Sequence, residues 1–564
     1  MSRVDEPWWK RATIYQIYPR SFADSDGDGI GDLRGIISKV DYLAELGIGA
    51  VWLSPIYKSP HADNGYDIAD YCAIDPVFGT LDDFDELLAA LHARGIRLIM
   101  DLVVNHTSDE HQWFKESRSS KDDPRRDWYW WRKGRTAPDG SSLPPNDWGS
   151  FFSGPAWTLD PASGEYYLHL FAPKQPDLNW ENPRVRAAIH QMMKWWIDRG
   201  VDGFRMDVIN YISKDPGLPA GEPGPQGYED GSRWFASGPH LMEYLQEMRL
   251  AVLSDPGKEL LTVGETPMIT PSQAAQLTDH EGPLDMVFQF EHVNLDQVGP
   301  DKWELRPTSA REVFGSLVAW QHALGDRGWN SLYLSNHDQP RQLSRFGDER
   351  FRTRSATALA TALHLLRGTP YVFQGEELGM ANAPVASSED LYDIESRNHF
   401  ATAVAAGSDP DGVLEVFRLK GRDNPRSPMQ WTDGPHAGFS TGRPWMPVNP
   451  DYRTVNAAAE AAEEDSVLAY YRRLIRLRAN SDVVAHGSFV ELDAGDPNVL
   501  AYRRELGSES LLVVVNLSGE VRSIRLGDLL PPEGGQLELV LGNGDASARD
   551  ALGEWEARVY RLTS

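Results

Sequence analysis

The chain holds a single cysteine, Cys72, among its 564 residues, which excludes an intramolecular disulfide and suits a reducing cytoplasm. A lone thiol of this kind is expected to serve as a small buried hydrophobe. No apolar run approaches the roughly 18 residues that a membrane span requires, and the opening MSRVDEPWWKRATIYQIYPR lacks the apolar core of a signal peptide. A soluble cytoplasmic protein is expected. Positive charge is scarce: 55 Lys and Arg face 83 Asp and Glu, a formal net charge of -28. Nucleic acid and anionic membranes both require a basic surface, so neither is an expected partner. No serine is read in a nucleophile elbow, no H-E-x-x-H zinc motif occurs, and no Gly-rich phosphate loop follows the first strand. The main reaction classes built on those motifs fall away.

What is present is a long alternation. Apolar runs begin at residues 13 (TIYQIYP), 50 (AVWLSP), 97 (RLIMDLVV), 203 (GFRMDV), 260 (LLTVGE), 285 (DMVFQF), 330 (NSLYLSNHD) and 369 (TPYVFQGEE). Amphipathic stretches lie between them. Phe84, Leu87, Leu88 and Leu91 recur at helical spacing, and RVRAAIHQMMKWWIDRG follows Asn182-Pro183, a helix start. Eight alternations predict an α/β fold, a (β/α)8 TIM barrel, over residues 1–105 and 176–482. One gap is too long for a loop, so residues 106–175, rich in Trp, Pro, Gly and Asp, are expected to form a small domain inserted after strand 3. From 483 to 564 the helical period disappears, and VLAYRRE, LLVVVNLSG, LELVL and EARVYRL predict a C-terminal antiparallel β-sandwich.

Barrel enzymes build their active sites at the C-terminal ends of the strands. Those ends carry Asn105 and His106, Arg205 and Asp207, Glu265, and His337 and Asp338. In GFRMDVIN a period of two sends Arg205 and Asp207 to one face and Phe204, Met206 and Val208 to the other. Several carboxylates around one developing cation suit glycoside hydrolysis, whose transition state resembles an oxocarbenium ion. Nineteen tryptophans offer flat apolar faces for sugars as well as for a core.

The ordered blocks IYQIYPRSF, GYDI, DLVVNHTSDEH, YLHLFAPKQPDLNW, GFRMDVIN, VGET, WNSLYLSNHDQPR, GTPYVFQGEE and GRDNPRSPMQW resemble the α-amylase superfamily of retaining α-glycosidases over essentially the whole chain. Within it they look like the oligo-1,6-glucosidases. The resemblance implies that Asp207 is the nucleophile, Glu265 the general acid/base and Asp338 a carboxylate stabilising the transition state. It implies that His106 and His337 bind hydroxyls of the transferred glucose, that Asp63 and Arg422 close the non-reducing end of the pocket, and that Tyr66 is a stacking platform. Phe152, Phe171 and Gln175 would line the same pocket. Arg205 is expected to orient Asp207 and lower its pKa. A closed inner end implies an exo-acting α-glucosidase for short oligosaccharides, releasing glucose through a covalent glucosyl-enzyme.

Val208, directly after the nucleophile, matches relatives that prefer α-1,6 bonds, whereas α-1,4-specific maltases more often carry a smaller residue or Thr. Relatives on the same scaffold leave alternatives open: a broad, sucrose- or α-1,4-preferring glucosidase, a transglucosylase or sucrose isomerase, and a trehalose-6-phosphate hydrolase. The Arg-x-Asp-Arg type cluster of sucrose isomerases is missing from EHVNLDQVGPDKWEL. A non-catalytic binding subunit would lose the catalytic carboxylates, which this chain retains. In DSDGDGIGD, Asp24, Asp26 and Asp28 alternate with Gly29 following, yet the twelfth position is Gly35 rather than the Glu of an EF-hand. The resemblance places a structural Ca2+ here, or Mg2+, held by Asp24, Asp26, Asp28, the Ile30 carbonyl and Asp32. No organic cofactor is expected, and the assembly is expected to be a monomer or homodimer.

Overall fold

The computed structural model describes residues 6–254, 257–299, 301–383, 385–531 and 535–563. Eight short strands form its centre: β1 (Ile14–Ile17), β2 (Ala50–Leu53), β3 (Arg97–Val103), β4 (Gly203–Asp207), β5 (Leu261–Glu265), β6 (Met286–Phe288), β7 (Ser331–Leu332) and β8 (Thr369–Phe373). All neighbours pair in parallel. Ala50 stands opposite Ile14 and Arg97, Gly203 opposite Ile99 and Leu261, Met286 opposite Val263, and Thr369 opposite Ser331. A bridge from Val287 to Asn330 joins β6 to β7, and Ile14 pairs with Tyr371 of β8. The ladder returns on itself, so the barrel has no open edge.

The two faces of each strand divide as the pleat requires. Ile14, Trp52, Ile99, Leu261, Val263, Met286 and Tyr371 fill the barrel interior, whereas Tyr15, Val51, Leu98, Phe204 and Met206 pack outward into the core shared with the helices. Gly203 starts β4 because a Cβ there would lie 2.1 Å from the Leu261 carbonyl oxygen.

Local signals set the helix limits. Thr80 and Asp83 form a reciprocal capping box before α1 (Leu81–Ala93), and Asn182 caps α2 (Pro183–Arg199) with Pro183 in the first turn. Each such cap contributes about 1 kcal/mol.

After β3 the chain leaves the barrel to build a three-stranded antiparallel sheet from residues 131–133, 165–168 and 157–160. Bridges from His106 to Asp177 and from Tyr129 to Leu178 lace its two ends together. A second excursion lies between β8 and the helix Val467–Ala479. It contains α3 (Ile394–Ala405) and α4 (Pro410–Lys420), whose ordinary helical pattern made it read as barrel. It is the segment that delivers Arg422.

At the C-terminal end, Ser488–Leu492, Val499–Leu506, Glu509–Asn516, Ala557–Thr563 and Gln536–Gly542 form a five-stranded antiparallel sheet in that order. Residues 522–523 and 551–552 pair as a second, smaller sheet. Val499, Leu512 and Val514 pack with Ile524 and Leu552 between the two. Cys72 departs from its expected burial: it lies on the short strand Asp70–Ile74 with Tyr71 turned into the core, so alternation leaves the thiol exposed. Among the described residues no helix is long and apolar enough to cross a membrane.

Candidate active site

The interior side chains of β3, β4 and β5 converge at the top of the barrel. Arg205 is 1 % exposed and lies 4.8 Å over the Trp52 ring. Its Nη1 donates to Oδ1 of Asp101 at 2.9 Å and to Oδ1 of Asp207 at 2.8 Å, and its Nη2 meets Oε1 of Glu265 at 2.5 Å. One guanidinium therefore holds three carboxylates in a fixed arrangement, as its planar fork allows.

This arrangement changes the expectation for Asp207. Burial, then the neighbouring Glu265, push its carboxyl well above the usual range, and Arg205 opposes them without prevailing. Asp101 is pushed up to about 6, again by burial first, with Arg205 opposing. Three carboxylates surround one cation, so Asp101 and Asp207 each feel their acidic neighbours as well as Arg205. Arg205 orients Asp207 as expected, but its pull is divided among three partners.

Asp338 is the counterexample. Burial alone would raise its carboxyl, yet His337, Arg422 and Arg426 together hold it far below the usual range. His337 is itself pushed down to about 3 by burial, so at neutral pH the two arginines carry the effect. Arg426 Nη2 stands 2.5 Å and Arg422 Nη1 3.5 Å from Asp338 Oδ1. Burial also pushes His106 down to about 4. Both histidines are neutral donors or acceptors near pH 7.

The pocket above is lined by Asp63, Tyr66, His106, Phe152, Phe171, Gln175, Asp207, Val208, Glu265, Asp338 and Arg422. The structure thus brings together nearly all the expected residues; Arg205 and His337 lie just beneath the floor. The Tyr66 ring is parallel to His337 at 5.0 Å, and its hydroxyl donates to Asp101 Oδ2 at 2.9 Å. At the inner end Arg422 Nη2 bonds Asp63 Oδ1 at 3.0 Å, and Gln175 Nε2 donates to Asp63 Oδ2 at 3.1 Å. Phe152 covers the Arg422 guanidinium at 4.7 Å. The end is sealed.

Val208 is not a strand residue. It follows β4 with φ 36 and ψ 42, in the left-handed region that a β-branched side chain avoids. The turn aims its backbone N–H at Glu265 Oε2, 3.0 Å away. Its side chain joins the cluster of Trp130, Leu170 and Tyr211 from the inserted domain and the following loop.

Sequence reasoning missed Asp101, although a lone carboxylate inside RLIMDLVV was a usable signal. It also missed Arg426, Asp393, Lys302 and Glu395. Arg426 stands four residues after Arg422 in the same block; the others carry no local signal, because Asp393 and Glu395 arrive on the second excursion and Lys302 on the short strand Asp301–Leu305 between β6 and β7. The spelling G-x-S-x-G does occur, at residues 438–442, but Ser440 sits in an irregular loop and donates to Asp24 Oδ2. It forms no strand-to-helix elbow.

Far from the pocket, Asp24, Asp26 and Asp28 bring one carboxylate oxygen each within 4.8 Å of one another. Burial, and then Asp26, Asp24 and Asp32, raise the Asp28 carboxyl against the pull of the Ile30 N–H. The donor set is hard oxygen throughout and fits Ca2+ or Mg2+. Asp32 is set apart: its oxygens accept from Ser25 N–H and Gly35 N–H, both at 2.7 Å, capping the next helix.

Comparison with known proteins agrees with this geometry. The family profile described as "Alpha amylase, catalytic domain" matches residues 16–487. The oligo-1,6-glucosidase of Parageobacillus thermoglucosidasius is 52% identical, covering 99% of this chain and 100% of its own. Among solved structures, Bacillus licheniformis trehalose-6-phosphate hydrolase superimposes with a TM-score of 0.92 at 42% identity, over 99% of this chain and 100% of that one. Isomaltulose synthase from Klebsiella sp. LX3 gives 0.93 at 41% identity with the same coverage.

Proposed function

Because this chain belongs to the α-amylase family of glycoside hydrolases, we propose that it is a retaining, exo-acting α-glucosidase that prefers α-1,6-linked isomaltose and short isomalto-oligosaccharides. The carrying observation is the single guanidinium of Arg205 bound to both Asp207 and Glu265 on the floor of a pocket sealed by Asp63 and Arg422. A glucose at the non-reducing end fills the sealed space, leaving its glycosidic bond over the two carboxylates. Glu265 gives a proton to the glycosidic oxygen while an Asp207 oxygen bonds to the anomeric carbon. The leaving sugar departs with that proton. Water then attacks the anomeric carbon from the vacated side, loses its proton to Glu265, and releases Asp207. Asp338, kept ionised by its arginines, accepts from sugar hydroxyls and strengthens that hold as positive charge develops.

The α-1,6 preference rests on Val208, whose strained turn fixes a branched side chain beside the leaving group, and on the high identity to an oligo-1,6-glucosidase. The pocket disfavours a phosphorylated substrate. Lys302 is paired with Glu395 at 2.6 Å, Lys420 with Asp296, and Arg422 with Asp63 and Asp393, so among the described residues no lining cation is left for a dianion.

A product time course with isomaltose, isomaltotriose, maltose, sucrose, trehalose and trehalose 6-phosphate tests the reading. Glucose should appear fastest from the α-1,6 substrates; faster cleavage of maltose, or of trehalose 6-phosphate, would overturn it.

For the acidic loop, Asp24, Asp26, Asp28 and the Ile30 carbonyl would hold a Ca2+ ion that stabilises the first βα connection. Asp32 supports it by fixing Ser25.

A further inference from the structure

Strand β1 carries an amide into the barrel. Ile14 lies in the interior and Tyr15 packs outward, so alternation returns Gln16 to the interior face, where it is buried. A buried amide needs partners for its hydrogens. Gln16 Nε2 lies 3.1 Å from Ser54 Oγ and 2.8 Å from Nδ1 of His337. The sheet holds it there: Gln16 stands opposite Trp52 of β2 and Phe373 of β8, and its carbonyl oxygen accepts from the Gln374 N–H at 3.1 Å.

His337 has little freedom left. Its ring lies parallel to Tyr66 at 5.0 Å and nearly parallel to Tyr18 at 6.2 Å, with Trp52 edge-on at 5.8 Å. Such packing fixes the plane of the imidazole but does not choose which nitrogen carries the proton. Burial keeps the ring neutral, so one nitrogen donates and the other accepts. An amide N–H directed at Nδ1 needs an acceptor there, which leaves the proton on Nε2. The opposite edge agrees. Nε2 stands 3.6 Å from Oδ2 of Asp338, and an ionised carboxylate favours an N–H facing it.

At 3.6 Å that pair is too long for a direct hydrogen bond, and a hydroxyl lying against both can donate to Asp338 while accepting from Nε2–H. A sugar hydroxyl has one proton to give. Asp338 takes it, so His337 must supply another. With the proton on Nδ1, the ring and the carboxylate would turn lone pairs toward the same oxygen. We infer that Gln16 is a positioning residue for the proposed reaction: its amide fixes the proton of His337 on Nε2, the nitrogen facing Asp338 and the glucose hydroxyl beside it. The inference rests on the glucosidase reading above, in which a glucose unit sits over Asp338. His106 does not depend on Gln16. Its Nε2 faces the Tyr66 carbonyl oxygen at 3.1 Å, which can only accept, and its Nδ1 faces Asn105 Nδ2 at 3.2 Å.

Nitrogen NMR of protein carrying 15N-labelled histidine reads the tautomer directly, with the His337 signals identified by their loss in His337→Asn. In the unmodified protein at neutral pH, Nδ1 should be bare and Nε2 protonated. Gln16→Glu replaces the donor with a group that only accepts, so Nδ1 should gain a proton while His106 keeps its signals. Asp338, Arg205, Arg422 and Arg426, the charged groups around His337, are the same in both proteins, so a change at Nδ1 reports residue 16. A proton on Nδ1 in the unmodified protein, or a bare Nδ1 in the Glu variant, overturns the inference. Gln16→Met keeps the side-chain length without the donor, and kcat/KM should fall about tenfold, the scale of one hydrogen bond. In a His337→Asn background the same substitution should cost almost nothing, because Gln16 acts through the ring. Equal losses in both backgrounds, or none in either, overturn it as well. The nitrogen signals are read without substrate, so a failure of the glucosidase reading appears in the product time course and leaves them untouched.

Discussion

The backbone N–H of Val208 donates to Oε2 of Glu265 at 3.0 Å, so the residue following the proposed nucleophile also fixes the proposed proton donor. The same residue carries the proposed linkage preference. Its left-handed conformation turns the chain directly after this contact, so both roles fall on one residue.

Replacing Val208 by Thr should keep this backbone contact while adding a hydroxyl beside the leaving group. The ratio of kcat/KM for maltose to that for isomaltose is expected to rise about tenfold, the scale of a single pocket contact. Paired kinetics on the two disaccharides measure it. No change in the ratio would remove Val208 from the specificity argument.

Asp207→Asn should lower turnover by about 10^4-fold or more, since it removes the carboxylate proposed to bond to the anomeric carbon. The fold should survive, because the amide keeps the shape of the carboxylate. Circular dichroism and a thermal melt check the fold alongside kcat. Substantial residual turnover with an intact fold would sink the nucleophile role.

The pH profile follows from the shared cation. Burial and Glu265 raise the Asp207 carboxyl, so on acidification it takes a proton before an ordinary carboxylate would, and the acidic limb of kcat/KM should lie above about pH 4, the free Asp value. Arg205 opposes that shift. Arg205→Gln should therefore move the limb to still higher pH while lowering the rate. His106 and His337, pushed down to about 4 and 3, stay neutral over most of the range, so His337→Asn should leave the limb in place. A limb that followed the histidine variant instead would contradict the assignment.

Removing bound divalent cations with a chelator should lower Tm without changing kcat at a temperature where the protein remains folded. A ligand bound at about a hundred times its Kd stabilises by about 2.7 kcal/mol. Asp26→Ala should abolish the chelator's effect. Calorimetry with and without added Ca2+ reads both. An identical Tm in chelator and Ca2+ for the unmodified chain would leave the loop metal-free.

The amino-acid sequence by itself pointed to the barrel, because eight apolar runs separated by helical patterns favour a closed parallel (β/α)8 arrangement over an open doubly wound sheet. It determined α1 and α2 through Thr80, Asp83, Asn182 and Pro183, which act on their nearest backbone groups. It also pointed to Asp207, Glu265 and Asp338, since strand ends are where a barrel keeps polar side chains. Tertiary structure alone decided the rest. Asp101 joined the site because β3 and β4 are neighbours with Asp101 opposite Arg205, and burial, then the neighbouring Glu265, reversed the expected direction for Asp207. Arg426 reached Asp338 across 88 positions, and Lys302 reached Glu395 across 93. Local propensity acts over a few residues, whereas burial and charge balance depend on every group that folding brings within a few ångströms.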